Sequence, residues 1–212
     1  MTEIRSFEGN PFAENTYLVI NEKKDCLIID PGCYFDTERQ ELIGYIRDHG
    51  LKPLRLINTH CHLDHIFGNR LVCAEYGLKP EIHRLDQPIL DGSVQAGLMY
   101  NVPFEPSPPP GRYLEEGEKI LLGNDELEVL LTAGHSPGSI TLFHKREKWL
   151  ISGDVLFRQS IGRTDLPLGD LDTLLRSIRE KLFPLGDEVR VYPGHGPGTT
   201  IGEEKKDNPF LQ

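Results

Sequence analysis

No stretch of this chain approaches the roughly 18 consecutive apolar residues that a membrane span requires. Its start, MTEIRSFEGNPFAENTYLVI, places Glu3, Glu8 and Glu14 where a signal or transit peptide carries bare positive charge, so the expected compartment is the cytoplasm. Basic residues are outnumbered, 23 Lys plus Arg against 33 Asp plus Glu, and the resulting net charge of −10 repels polyanions. Neither nucleic acid nor a membrane is the expected partner. Cysteine is sparse as well: Cys26, Cys33, Cys61 and Cys73 contain no C-x-x-C pair, which argues against a zinc ribbon. Without a secretory leader they read as four reduced, buried thiols.

The apolar residues, 38% of a chain of 212, suffice for one substantial core, and residues 1–212 read as a single domain. Runs rich in β-branched and aromatic residues at Asn15–Ile20, Cys26–Asp30, Leu54–Asn58, Leu127–Thr132, Ile140–His144, Trp149–Ser152 and Val189–Tyr192 predict strands. Apolar spacings of three and four predict amphipathic helices over Thr37–His49 and Leu171–Phe183. Strands followed by a helix at each end predict an α/β fold of two sheet-plus-helix halves packed face to face. The proline-rich Val102–Gly111 is expected to be a surface connection between the halves, and Lys205 and Lys206 a solvated tail. The final Pro209 and Phe210 suggest a docked terminus.

Chemistry is concentrated in His60-Cys61-His62-Leu63-Asp64-His65, directly after the apolar run LRLIN. In an extended segment His60 and His62 point the same way and can share an ion while Cys61 points away; a turn into helix then lets Asp64 and His65 face a second ion. Further donors should follow other strands in tight glycine-containing loops, and His135, Asp154 and His195 do. The count closes with His60, His62 and His135 on one ion, Asp64, His65 and His195 on the other, and Asp154 bridging. Two cations about 3.5 to 4 Å apart lower the pKa of a shared water, which becomes the nucleophile, with Asp64 and Asp154 as the catalytic carboxylates. Zinc is the first expectation, although imidazole and carboxylate ligands also accept iron or manganese. Asp30, at the end of CLIID, is either support behind a metal histidine or a turn cap. His49, His83 and His144 read as ordinary surface or strand-end residues.

In this order, and over nearly the whole chain, H-x-H-x-D-H at His60 to His65 with His135, Asp154 and His195 resembles the metallo-β-lactamase superfamily. The resemblance implies a four-layer αββα sandwich with a dinuclear site at one edge of the two sheets. Gly153-Asp154-Val155-Leu156-Phe157, Gly162-Arg163-Thr164-Asp165 and Asn208-Pro209-Phe210 are similar to the glyoxalase II branch, hydrolases of glutathione thioesters such as S-lactoylglutathione. That narrower resemblance implies a small-molecule thioester substrate, glutathione-linked, with Arg163 as the basic residue presented to it. Long-form members carry a further helical domain, whereas this chain stops 17 residues after His195 and resembles the short type. Three other readings stay open: a persulfide dioxygenase with one iron on two His and one Asp, a lactone or other ester hydrolase of the same fold, and a non-catalytic metal-binding protein.

Overall fold

Side-chain alternation along strands buried on both faces builds two cores at once. The computed structural model describes all 212 residues. Strand β2 (Glu14–Ile20) is buried along its whole length; Tyr17 and Val19 face the second sheet while Leu18 and Ile20 face the outer helices. Its neighbours form the first sheet in sequence order: β1 (Glu3–Gly9), β2, β3 (Asp25–Ile29), β4 (Lys52–Ile57), β5 (Pro80–His83) and β6 (Arg112–Leu114). The first three are antiparallel, and from β3 onward the pairing is parallel.

The second sheet comprises β7 (Lys119–Leu122), β8 (Asp125–Leu131), β9 (Ile140–His144), β10 (Trp149–Gly153), β13 (Arg190–Pro193) and β14 (Thr199–Thr200), and a hairpin of β11 (Leu156–Phe157) and β12 (Ser160–Ile161) stands beside it. Leu27, Ile29 and Ile57 meet Leu127, Leu142, Trp149 and Ile151 between the sheets. Helices α1 (Asp36–Asp48) and α3 (Asn69–Tyr76) cover the first sheet through Leu42, Ile46 and Val72. Helices α5 (Leu171–Ser177) and α6 (Ile201–Asp207) cover the second through Leu174 and Ile201. The short α2 (Leu63–Ile66) and α4 (Gln87–Met99) lie at the site edge of the first sheet. The result is the αββα sandwich.

Glu38 starts α1 by accepting the backbone N–H groups of Tyr34 and Phe35, and it also accepts that of Asn10. Asp170 caps α5 at Thr173, and Thr200 with Glu203 forms a capping box at α6. The predicted solvated tail is therefore helix, with Lys205 paired to Asp187 and Leu211 buried behind it. The apolar pattern predicted to run as one helix to Phe183 leaves α-geometry after Ser177 and continues as a wide turn over Ile178–Leu182.

Val102–Gly111 is not the connection between the halves. The residue after it begins β6, which pairs with β5, so the chain crosses between sheets only at the turn from β6 to β7. A three-residue strand is too short to show in composition, so the sequence pattern does not reveal that the first sheet continues past the prolines. The proline segment is pinned to the first half: Tyr34 Oη donates to Pro103 O at 3.1 Å and Asn69 Nδ2 to Ser107 Oγ at 2.8 Å. His83 and His144 sit at strand ends but are buried rather than at the surface, His144 stacked on Trp149. Cys26, Cys33 and Cys61 are buried free thiols and Cys73 is half-buried.

Gly134 links β8 to the site with φ +137°, and a Cβ there would strike the Leu174 backbone of α5. Gly134→Ala should lower unfolding free energy by ~3 kcal/mol or more, read by urea denaturation, because neither strain nor overlap has a cheap escape. A change below ~1 kcal/mol would show that α5 can move aside.

Candidate metal centre

Strands β3, β4, β5, β8, β10 and β13 all deliver an acid or a histidine from the loop that follows them: Asp30, His60 to His65, Asp86, His135, Asp154 and His195. Parallel pairing within the first sheet and of β10 with β13 points these ends to one edge. The seven residues proposed as ligands from sequence come together there. Ligand atoms of His60, His62 and His135 lie within 4.8 Å of one another, as do those of Asp64, His65 and His195. Asp154 lies between the groups: its Oδ1 is 3.4 Å from His65 Nε2, and its Oδ2 is 3.5 Å from His135 Nε2 and 3.4 Å from His195 Nε2.

Contacts behind the cluster aim the imidazoles. Nδ1 of His135 donates to the Arg163 carbonyl at 2.7 Å, Nδ1 of His195 to the Phe12 carbonyl at 3.0 Å, and Nδ1 of His65 to Asp30 Oδ2 at 3.0 Å. Each such bond leaves an Nε2 lone pair facing the cluster. Asp30 also accepts the Thr59 N–H at 2.7 Å, so of its two sequence readings the structure places it behind a cluster histidine. Arg163 reaches the same cavity, but its guanidinium is forked onto Asp165 with both bonds at 2.7 Å.

Two participants were not found in the sequence. Asp86 accepts from Cys61 N–H, Ser136 Oγ and Gly138 N–H at 2.6, 2.6 and 2.8 Å, tying the His60–His65 loop to the His135 loop. It follows β5, whose four residues give no readable strand pattern; a rule that looked for acids after every strand would have reached it. Glu14 is fully buried 3.8 Å from His65, and burial holds its carboxyl well above the usual range. It is the first residue of β2, where nothing in the sequence marks it.

The donor set fits divalent ions. His65 Nε2 and Asp154 Oδ1 are buried with no hydrogen-bond partner, although they lie close together. His135 Nε2 stands 2.8 Å from His62 Nδ1 and 3.2 Å from His60 Nε2, a convergence of nitrogens that a shared cation resolves. Burial, then the neighbouring imidazoles, holds His60 well below its ordinary pKa and brings His62 down to about 3, leaving both neutral and ready to coordinate. For His65 and His195 burial also opposes the charge, but the Asp154 and Asp64 carboxylates outweigh it, raising His65 well above its usual value and His195 to about 10.

A family model described as the metallo-beta-lactamase superfamily matches residues 9–195, a span that holds all seven donors. The chain belongs to the metallo-beta-lactamase superfamily. It is similar to a "Probable metallo-hydrolase YqgX" of Bacillus subtilis (strain 168), 39% identical over 98% of this chain and 96% of the relative. "Hydroxyacylglutathione hydrolase GloC" of Haemophilus influenzae is 37% identical over 94% of this chain and 93% of its own. A solved structure, "TTHA1623 in a di-iron-bound form", superposes with a TM-score of 0.88 at 37% identity, covering 98% of this chain and 100% of the other. At this level the protein is a metallo-hydrolase of the superfamily with a His/Asp cluster suited to divalent ions, and no helix is long and apolar enough to cross a membrane.

Two measurements probe the cluster. The Asp154 and Asp64 carboxylates hold protons on the imidazoles of the ion-free protein, raising His65 well above its usual pKa and His195 to about 10, and coordination requires both neutral; loading at neutral pH should therefore release protons, up to about two per chain. Calorimetry in buffers of different ionisation enthalpy reads this number, and zero release would mean the imidazoles are already neutral. Asp86→Ala leaves two buried N–H donors and a hydroxyl without their acceptor, so it should cost ~2 to 4 kcal/mol of stability and loosen ion retention against a chelator. Unchanged retention would separate Asp86 from the site.

Proposed function

We propose that the protein is a metal-dependent thioesterase, acting as one catalytic domain on glutathione thioesters of the hydroxyacyl kind. The observation that carries this reading is the pair of donor sets with Asp154 between them, opening on a cavity whose floor includes Asp64, His135, Asp154 and His195. In this reading His60, His62 and His135 would hold one divalent ion and Asp64, His65 and His195 the other, with the Asp154 carboxylate in reach of both sets. Zinc is the first candidate; a relative solved with two irons supports a donor set that also takes iron. When bound, the ions supply Lewis acidity toward a carbonyl oxygen and a water of lowered pKa.

The chain's own residues do the positioning. Asp64, its backbone carbonyl held by Asn10 Nδ2 at 3.0 Å, presents its carboxylate to the cavity and accepts the proton lost as water adds to the thioester carbonyl. Asp30 keeps His65 oriented, and the Arg163 and Phe12 carbonyls do the same for His135 and His195. The Arg163 guanidinium, at the cavity wall, can take a substrate carboxylate in exchange for Asp165. A thiolate leaves without needing a strong acid. Cys61 is not the nucleophile in this scheme: burial pushes its thiol pKa well up, and its backbone is tied to Asp86. Two complete three-residue donor sets weigh against a mononuclear dioxygenase, which uses two His and one Asp.

The test is metal analysis of the reconstituted protein with two assays, hydrolysis of S-lactoylglutathione and oxygen uptake with glutathione persulfide. Expected are two ions per chain, thioester cleavage, a loss of about a thousandfold or more in Asp154→Ala and His60→Ala, and most activity kept in Cys61→Ala. One tightly held iron, oxygen uptake and an intact thioester would replace the thioesterase with the dioxygenase.

A further inference from the structure

We infer that the cavity beside the donor cluster is an acyl pocket, and that it extends the accepted thioesters from small hydroxyacyl groups to those with an apolar acyl chain of several carbons, which it prefers. The inference rests on the thioesterase reading for the bond that is cut, and on separate observations for the chemistry of the acyl group.

The cavity measures about 560 Å³. Outside the donor cluster it is lined by Ile89, Gly92, Ala96 and Met99 of α4 and by Leu166 to Leu168, and the hydroxyls of Ser93 and Tyr100 with Arg163 supply nearly all the polarity. Arg163 is its one cation, already neutralised by the two-bond fork to Asp165. A small polar acyl group would leave most of this space as water against apolar walls.

The rim carries a second sign. Phe12, Met99, Tyr100 and Leu168 are all large apolar side chains exposed around this one opening, Met99 by 79% and Leu168 by 60%. Such clustering marks a surface that meets an apolar ligand. Leu168 is held there against backbone preference. The Gly169 N–H bonds back to the Leu166 carbonyl at 3.0 Å, with Pro167 and Leu168 in the middle of the turn. Leu168 has φ +68° at the position where such turns favour glycine. Strain kept at a cavity mouth is strain put to use in placing a side chain.

The acyl half is the part of a thioester whose polarity varies. A glutathione half, with two carboxylates and an ammonium, gains nothing from these walls and belongs at the mouth, beside Arg163. The walls are left to the acyl chain.

The probes are N-acetylcysteamine thioesters, S-acetyl to S-hexanoyl, assayed with the metal-loaded protein. Each methylene withdrawn from water contributes about 2- to 4-fold, so kcat/KM should rise at least about 10-fold from acetyl to hexanoyl. The S-ethyl and S-hexyl thioethers, which cannot be hydrolysed, give a readout apart from activity. By calorimetry on the same protein the hexyl compound should bind at least about 10-fold tighter, with a negative heat-capacity change.

Two variants fold safely. Gly92 lies on a helix where an added Cβ meets nothing within 4 Å, and Leu168→Gly relieves the positive φ. Gly92→Leu, by filling the pocket, and Leu168→Gly, by removing a wall, should each lower the hexanoyl-to-acetyl ratio by about 5-fold or more. Ratios within about 2-fold of one in both kcat/KM and binding would overturn the acyl pocket. Tight hexyl binding with no thioester cleaved would uphold the pocket and overturn the thioesterase reading instead.

Discussion

Five imidazoles and two carboxylates meet in a corner where His60, His65 and His135 are almost wholly buried, and without a cation the nitrogens of His60, His62 and His135 are left facing one another. A buried polar atom without a partner is costly. The surrounding structure is organised to hold the donors together despite that cost. Asp30 adopts φ +48°, unfavourable for a side chain with a Cβ, and from there reaches both the Thr59 backbone and His65. Asp86 does the same work between loops, gathering three donors from two of them. Neither residue is among the proposed ligands, yet they fix the loops and the imidazole orientation on which the ligands depend.

Convergence follows from strand direction. A strand that ends at the site edge releases its chain there, and backbone irregularity is then free to aim side chains. The pairing of β10 with β13 shifts register between Ile151 and Gly153, just before Asp154. The loop after β13 is drawn back against β2 through the Asn15 N–H, which donates to Gly194 O at 2.7 Å, and Tyr17 Oη, which donates to Pro193 O at 2.7 Å. These bonds cross from one sheet to the other, so the distance between the sheets, set by the side chains packed between them, also sets how closely the first-sheet donors of each group meet the second-sheet histidine that completes it.

Floor and walls of the cavity have opposite character for a physical reason. The floor is made of strand-end loops, whose backbone groups and glycines allow polar side chains to be oriented by hydrogen bonds. The walls come from α4, the Leu166–Leu168 turn and Phe12, which present apolar side chains and few donors. A reaction centre on such a floor handles the scissile bond, while the walls act on whatever group is attached to it.

The sequence alone determined a good deal. Runs such as TYLVI and CLII read as strands, and three histidines with an aspartate in six residues after an apolar run read as a metal-binding cluster at a strand end. These signals are local: period and spacing say which way neighbouring side chains point. Elements with weak local signals were unreadable. Strand β1 carries Glu3, Arg5 and Glu8 at a solvent edge, β6 has three residues, and the apolar pattern of α4 is broken by Pro88, Gly92 and Gly97. Only the tertiary structure decided that Asp86 joins two loops, and that Phe12, α4 and Leu168 enclose one cavity. Those facts depend on distances between segments far apart in the chain, and such distances are set by how two sheets and their helices fill the space between them, which no periodicity along one strand or helix encodes.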